Sequence, residues 1–229
     1  MGSLASLEKK AVYDIQKSKQ LFNIKHGEVL LAYSGGKDAL CLALIMLNAG
    51  IPFKPVCDVS WYFPQQIKDI VRTVNKLSIK NIEYTEYLPE KYLKNNNHMI
   101  FSTCSKIRSR LFSLRQQKAI KDFSESNKYK LVLFGRRDEE NSVKRKIYKR
   151  DSGIYYMHPL KVWKTHQVWE YIFSCGLERP WIYGTEFGIR EGNAPFYLFM
   201  PYDYEDTDYC WKYISSLYNG FNKERFGVK

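Results

Sequence analysis

The segment Ser34-Gly35-Gly36-Lys37-Asp38 brings together the chemical groups that bind a phosphate. Two adjacent glycines allow a tight turn, and a helix beginning near Lys37 would point its unpaired N–H groups and its dipole at the ligand. Lys37 adds a positive charge and Ser34 a hydroxyl, while Asp38 could accept a bond from an early helical N–H or contact magnesium. The alternative is a plain Gly-Gly turn between a strand and a helix. The string as a whole favours a phosphate-binding loop.

A second charged cluster follows an apolar run, residues 131–134, that is typical of a buried strand. The cluster comprises Gly135, Arg136, Arg137 and Glu139. Guanidinium groups bind phosphate oxygens in a bidentate manner, and the carboxylate could orient them or contact magnesium. A surface salt-bridge cluster is the alternative. Because the charged cluster follows the carboxyl end of a predicted strand, ligand binding is the favoured interpretation.

The spacing of apolar residues predicts alternating strands and helices that would position both clusters. The predicted strands cover residues 28–33, 55–59, 82–87 and 131–134, and the predicted helices cover residues 4–15, 38–49, 64–77, 105–124 and a segment starting at Thr165. This order predicts an α/β fold with a doubly wound, mostly parallel five-stranded sheet and helices on both faces. Ligands of such sheets bind beyond the carboxyl ends of the strands, where both clusters fall.

The chain divides by composition into two unequal parts. Residues 1–190 carry the alternating pattern and are interpreted as one nucleotide-binding α/β domain, and residues 191–229 as an aromatic-rich extension packed on it. Aromatic side chains in the extension could stack on the bases of a single strand. Because Trp211, Ile214 and Leu217 fall at helical spacing, core packing is the favoured interpretation.

Positive charge is concentrated in one part of the sequence. The formal net charge is +12, and residues 101–150 contain fifteen Lys or Arg against five Asp or Glu, a local excess of ten. Such an excess attracts polyanions, so RNA, DNA or nucleotide phosphates are candidate partners. A solvated helical face is an equally open interpretation.

The cysteines and the hydropathy pattern narrow the class of protein. The five cysteines are scattered, with no Cys-x-x-Cys pair, which predicts buried, reduced thiols and neither a disulfide framework nor a zinc ribbon. No apolar run reaches the roughly 18 residues that a membrane span needs. The sequence therefore predicts a cytoplasmic protein with no membrane partner.

Several segments, in order from about residue 28 to 190, resemble one known superfamily. The string Ser34 to Ala39 resembles the loop of the adenine nucleotide α-hydrolases, also called PP-loop ATP pyrophosphatases, although that family usually has Ser where this chain has Ala39. Three further segments are similar to its phosphoadenylyl sulfate (PAPS) reductase-like branch. They are Asp58 with Trp61, Phe63 and Pro64; Phe134 to Glu140 followed by Lys144 and Arg145; and His158 to Ile172.

The resemblance implies an enzyme that binds ATP with magnesium, cleaves it between the α and β phosphates, and adenylates an acceptor. The acceptor could be a nucleic acid, with a sulfur or amine donor protein supplying the replacing group. The implied nucleotide-binding residues are Ser34, Gly35, Gly36, Lys37, Asp38, Asp58, Gly135, Arg136, Arg137, Glu139, Lys144 and Arg145. The candidate catalytic residues are Lys37, Asp38 and Arg137, with Asp38 also the candidate magnesium contact.

Two alternatives remain open. A divergent PAPS reductase would need a nucleophilic thiol, but the family's C-terminal Glu-Cys-Gly-Leu-His type segment is absent, and Cys210 follows an acidic run that raises a thiol pKa. An iron–sulfur cluster is not expected, because Ser105 follows Cys104 and residues 192–195 contain no cysteine pair. The second alternative is a non-catalytic nucleotide- or nucleic-acid-binding module, which Ala39 would suit.

Overall fold

The computed structural model describes residues 3–25, 27–58, 64–79, 82–85, 119–139, 147–149, 153–180 and 183. The predicted extension 191–229, the basic residues Lys144 and Arg145, and the cysteines at 104 and 210 lie outside these ranges.

A single six-stranded sheet forms the centre of the described structure. The strands are β1 (Val29–Ala32), β2 (Lys54–Asp58), β3 (Glu83–Thr85), β4 (Leu131–Leu133), β5 (Ile147–Lys149) and β6 (Tyr155–Met157). Their order is β3-β2-β1-β4-β6-β5, with five mutually parallel strands and β5 antiparallel to β6 at one edge. The predicted doubly wound, mostly parallel fold is confirmed, and the antiparallel edge strand is an addition to it.

Among the described residues, the helices that pack around this sheet are α1 (Leu4–Leu21), α2 (Lys37–Asn48), α3 (Pro64–Lys76) and α4 (Thr165–Ser174). Residues 119–126 are also helical, whereas residues 105–118 of the predicted basic helix lie outside the described ranges. Helix α1 continues beyond its predicted end at residue 15, and Ser3 caps its first turn by accepting a bond from the Ser6 N–H.

Alternate side chains of β1 enter two separate cores, because successive residues of a strand point to opposite faces. Val29 and Leu31 join the core that also contains buried residues of α1, α2, α3 and α4. Leu30 and Ala32 join the core on the other face, with Ile120 from the helical segment 119–126. The predicted helices on both faces are therefore present, and β1 is buried on each side.

The chain direction across the sheet reverses between β1 and β4. From β1 the chain moves outward through β2 and β3, then returns to place β4 on the other side of β1. In doubly wound sheets, the loops that leave two such neighbouring strands diverge, and ligands bind in the crevice between them. Both charged clusters of the sequence follow strands that end at this point.

Across the described residues, no helix combines the length and the apolar character that crossing a bilayer demands. Three cysteines fall in these ranges: Cys41 and Cys57 are buried, Cys175 is partly exposed, and none of them forms a disulfide.

Candidate active site at the β1–β4 switch point

The glycine loop connects β1 directly to the N-terminus of α2. Gly35 has a φ of +72°, and a Cβ there would lie 2.5 Å from Cγ1 of Ile70 on α3, so glycine suits both the backbone and the space. Gly36 is the N-cap of α2 and has no side chain to cap it, and its N–H donates to Ser34 Oγ at 3.3 Å. The N-cap residue therefore contributes no side chain to the first N–H groups of α2, and a helix N-terminus of this kind suits an anion.

Gly135 brings the second charged cluster against this loop. A Cβ at Gly135 would lie 2.6 Å from the carbonyl carbon of Asp38 and 2.9 Å from the Ala39 nitrogen. Only a residue without a side chain lets the chain leaving β4 touch the first turn of α2 so closely. In the structure Gly135 thus allows close backbone packing, and the residues that follow it are placed beside α2.

Lys37, Asp38 and Arg137 form one chain of ion pairs. Lys37 Nζ lies 2.8 Å from Asp38 Oδ2, and Arg137 Nε lies 2.6 Å from Asp38 Oδ1. The side chains of Lys37 and Arg137 are 1% and 0% exposed, and that of Asp38 is 15% exposed. The structure therefore brings together the three predicted catalytic residues, with both carboxylate oxygens of Asp38 facing cations.

The chain of contacts continues from Arg137 to the start of α4. Arg137 Nη1 donates to Glu139 Oε2 at 2.7 Å and to Thr165 Oγ1 at 3.0 Å. Glu139 Oε2 also accepts the Thr165 N–H and hydroxyl, each at 2.6 Å. Hydrogen bonds from Thr165, with a further one from Arg137, lower the pKa of Glu139 to about 2. Glu139 is ionised at neutral pH and occupies the positive end of α4.

Tyr183 contacts the N-terminal end of α2. Its hydroxyl accepts the Lys37 N–H at 3.2 Å, and Lys37 Nζ lies 5.8 Å from the centre of its ring. The edge of the ring packs against Trp169 of α4, with 5.0 Å between centroids. Sequence reasoning missed this residue, because an isolated tyrosine beyond the last predicted helix gives no pattern.

Two more of the predicted site residues, Asp58 and Arg136, follow strands at the same edge of the sheet. Asp58 is buried at the end of β2, next to β1, and the Arg136 guanidinium lies 5.4 Å from the centre of the Phe134 ring. Burial, and then the charge of Arg136, lower the pKa of His158 to about 4, so this imidazole is neutral at pH 7. Burial, and then the Asp38 carboxylate, raise the pKa of the Cys41 thiol well above its ordinary value, which makes it inert.

The comparison with protein-family models decides the family of the chain. The model for the phosphoadenosine phosphosulfate reductase domain matches residues 28–189. The chain belongs to this family. The matched range begins with β1 and includes the glycine loop, the cluster after β4 and the whole of α4. The predicted membership of the adenine nucleotide α-hydrolases, in their PAPS reductase-like branch, is confirmed.

A solved structure agrees with the fold of this PAPS reductase-like domain. A phosphate complex of phosphoadenylyl-sulfate reductase from Candida auris superposes with a TM-score of 0.55 at 16% identity, covering 77% of this chain and 87% of that one. The U34-tRNA thiolase NcsA from Methanococcus maripaludis, solved with its [4Fe-4S] cluster, gives a TM-score of 0.49 at 17% identity, covering 76% and 64%. No curated protein matches the sequence.

Proposed function

We propose that this PAPS reductase-family protein binds ATP and cleaves it to AMP and pyrophosphate while adenylating an acceptor. The position of Lys37 carries the proposal. Its N–H lies at the N-terminus of α2 and its buried ammonium is held by Asp38, both at the switch point between β1 and β4. A helix N-terminus and a fixed cation together suit a polyphosphate at the place where doubly wound sheets bind their ligands.

The proposed reaction has two bond exchanges. An acceptor oxygen attacks the α-phosphorus, the bond to the β-phosphate oxygen breaks, and pyrophosphate leaves. A sulfur or nitrogen nucleophile then forms a bond to the acceptor carbon, and AMP departs with the former acceptor oxygen. The protein contributes positioning and charge stabilisation, through the loop N–H groups and Lys37, to the negative charge that develops on the phosphates.

Magnesium enters this proposal as the counter-ion that ATP carries, supplying positive charge to the phosphates. The described donor set does not fit a metal held by Asp38, because both oxygens of that carboxylate already face Lys37 and Arg137. Within the ranges that the structure describes, no three His, Cys, Asp or Glu side chains converge on one point. We therefore assign no step to a protein-bound metal.

A nucleic acid is the proposed acceptor, and a sulfur or amine donor protein the proposed second partner. The excess of ten positive charges in residues 101–150 supports this choice, since Lys and Arg neutralise backbone phosphates. If pyrophosphate release is indifferent to every RNA and DNA supplied and to salt, the acceptor must belong to another class.

The central experiment follows AMP and pyrophosphate after incubation with ATP, magnesium and total RNA or DNA, with mass analysis of the nucleosides. Lys37→Met should lower pyrophosphate release by about 100-fold or more, because it removes a positioned cation from the transition state. Lys76→Met, on an exposed lysine of α3, is the matched control and should leave the rate unchanged. Equal rates for the two variants would reject Lys37 as the catalytic cation.

A divergent PAPS reductase is the second candidate, favoured by the family match itself. Sulfite release from PAPS with thioredoxin as reductant would support it, and no release would reject it. A non-catalytic module would bind ATP in a calorimeter and yield no AMP under any of these conditions.

A further inference from the structure

Arg137 is fully buried and bonded to protein side chains on two sides of its guanidinium. Its side chain is 0% exposed, and its Nε and Nη1 donate to Asp38, Glu139 and Thr165. An arginine that grips a phosphate has to present the edge of its guanidinium to the crevice. Nε and Nη1 of Arg137 point to different sides of the guanidinium and both donate to protein side chains, so these contacts place Arg137 within the protein.

The contacts of Arg137 connect three elements that are distant in sequence. Thr165 begins α4, Glu139 and Arg137 follow β4, and Asp38 and Lys37 begin α2. Two cations and two carboxylates alternate along this path, so each charge lies beside an opposite one. Breaking the Arg137–Asp38 link would divide the path into two separate ion pairs, and the start of α2 would lose its contact with the segment after β4.

We propose that Arg137 is a positioning residue that fixes Asp38, and through it the ammonium of Lys37, with Glu139 and Thr165 holding the guanidinium in place. The start of α4 thereby sets the position of the cation at the glycine loop. This inference rests on the proposed function for its consequence, nucleotide binding, but the positional coupling can be measured without a nucleotide.

The chemistry of lysine and arginine supports Lys37 as the positioned cation and Arg137 as the residue that positions it. Lysine carries its charge on a flexible stem with four methylene groups, so an unsupported ammonium has many positions. Asp38 bonds Lys37 through one carboxylate oxygen and Arg137 through the other, and the two contacts together restrict the rotation of that carboxylate. A lysine in place of Arg137 cannot make the divergent Nε and Nη1 bonds at once.

Thr165→Val is the mildest test, because it keeps the size of the side chain and the Thr165 N–H bond to Glu139. It removes the hydroxyl that accepts from Arg137 and donates to Glu139. Nuclear magnetic resonance of 15N-labelled lysine reports on Lys37, because a buried, fixed ammonium exchanges its protons slowly. We expect the Lys37 signal in the wild type, its loss in Thr165→Val and its return in Thr165→Ser.

Calorimetry on the same variants gives the consequence for binding. Losing one hydrogen-bonding hydroxyl should raise the Kd of ATP by roughly threefold to tenfold in Thr165→Val, and Thr165→Ser should restore it. Thr73→Val on α3, outside this chain of contacts, is the matched control for loss of a threonine hydroxyl. Arg137→Lys should lose both the Lys37 signal and tight binding.

The outcomes separate the inference from the proposed function. An unchanged Lys37 signal in Thr165→Val and Arg137→Lys overturns the positioning role, as does an unchanged Kd in folded Arg137→Lys. If the signal follows the variants as expected and the wild type binds no ATP, the proposed function fails while the coupling stands. Equal loss of signal in Thr73→Val would show a general loosening of the fold and also overturn the inference.

Discussion

Gly135 is the residue through which the two halves of the site meet. Its missing side chain leaves room for the backbone of Asp38, which a Cβ would approach to 2.6 Å. Backbone atoms cannot move aside as the end of a long side chain can. Gly135→Ala should therefore push β4 away from α2 and lower the free energy of unfolding by about 1–3 kcal/mol, the usual cost of overpacking.

Urea denaturation measures this change, and Gly36→Ala provides the contrast. Gly36 has an ordinary φ of −78°, and a Cβ there would lie 3.3 Å from the Tyr183 hydroxyl, a group at the end of a side chain. Gly36→Ala should leave the free energy of unfolding within about 1 kcal/mol of the wild type. If both variants unfold at the same urea concentration, close packing is not the role of Gly135.

The free energy of unfolding should depend on the ionisation of Glu139 at acid pH, and Glu139→Gln should remove that dependence. Its pKa lies at about 2, below the ordinary 4.5, so the stability that the ionised carboxylate contributes is fully present above about pH 4.5 and lost as pH falls toward 2. Glu139→Gln should be less stable than the wild type at pH 7, and the difference should shrink between pH 4.5 and 2. The side chain is 37% exposed, so solvent screening limits the effect at pH 7 to about 1 kcal/mol.

Denaturation at several pH values tests this prediction, with Glu125→Gln as the control. Glu125 is an exposed carboxylate 3.7 Å from Lys121, and its loss should change stability little at any pH. If the free energy of unfolding changes with pH in the same way in the wild type and in Glu139→Gln, the hydrogen bonds from Thr165 do not favour the ionised form of Glu139.

At the scale of elements, the sequence predicted those parts whose local pattern is strong. Strand β1 and helix α2 are both apolar runs, and the glycine pair that joins them marks the turn. Strand β4 is a short apolar run that ends just before a glycine. Strands β5 and β6 escaped prediction because neither is an uninterrupted aliphatic run like β4, and the pairing between them appears only in the fold. The burial of Arg137 depends on Asp38, 99 residues away, and no local pattern reports such a contact.

The segment after α4 should compete with the nucleotide for the glycine loop. The Tyr183 hydroxyl accepts the Lys37 N–H, one of the groups proposed to bind a phosphate oxygen. Tyr183→Phe removes that competing acceptor while keeping the ring beside Trp169. We expect the Kd of ATP and of pyrophosphate to fall by roughly twofold to fivefold, in line with the net value of one hydrogen bond.

Calorimetry on Tyr183→Phe and Tyr13→Phe distinguishes this role from a general effect of losing a phenol. Tyr13 lies on α1 and is 57% exposed, so its substitution should leave both Kd values unchanged. Weaker binding in Tyr183→Phe would show instead that the hydroxyl is a contact to the nucleotide.

Across the whole molecule, the distribution of charge differs between the proposed ATP site and the segment proposed to attract nucleic acid. The ion pairs around Asp38 neutralise one another, so the site adds little to the net charge of +12. The excess lies in residues 101–150, and long-range attraction of a polyanion follows from that excess. Nucleic acid binding and ATP binding should therefore respond differently to salt and to substitution.

Lys144→Gln with Arg145→Gln should weaken nucleic acid binding and reduce its salt dependence. Each lost phosphate contact lowers the slope of log K against log salt by about 0.9, or about 0.7 on a single strand. Lys9→Gln with Lys10→Gln removes the same charge from exposed positions of α1 and serves as the control. Fluorescence anisotropy with labelled RNA at several salt concentrations gives both slopes. A position-specific contact lowers the slope in the first pair alone, whereas equal slopes in the two variants would mean that net charge, and not this segment, attracts the nucleic acid.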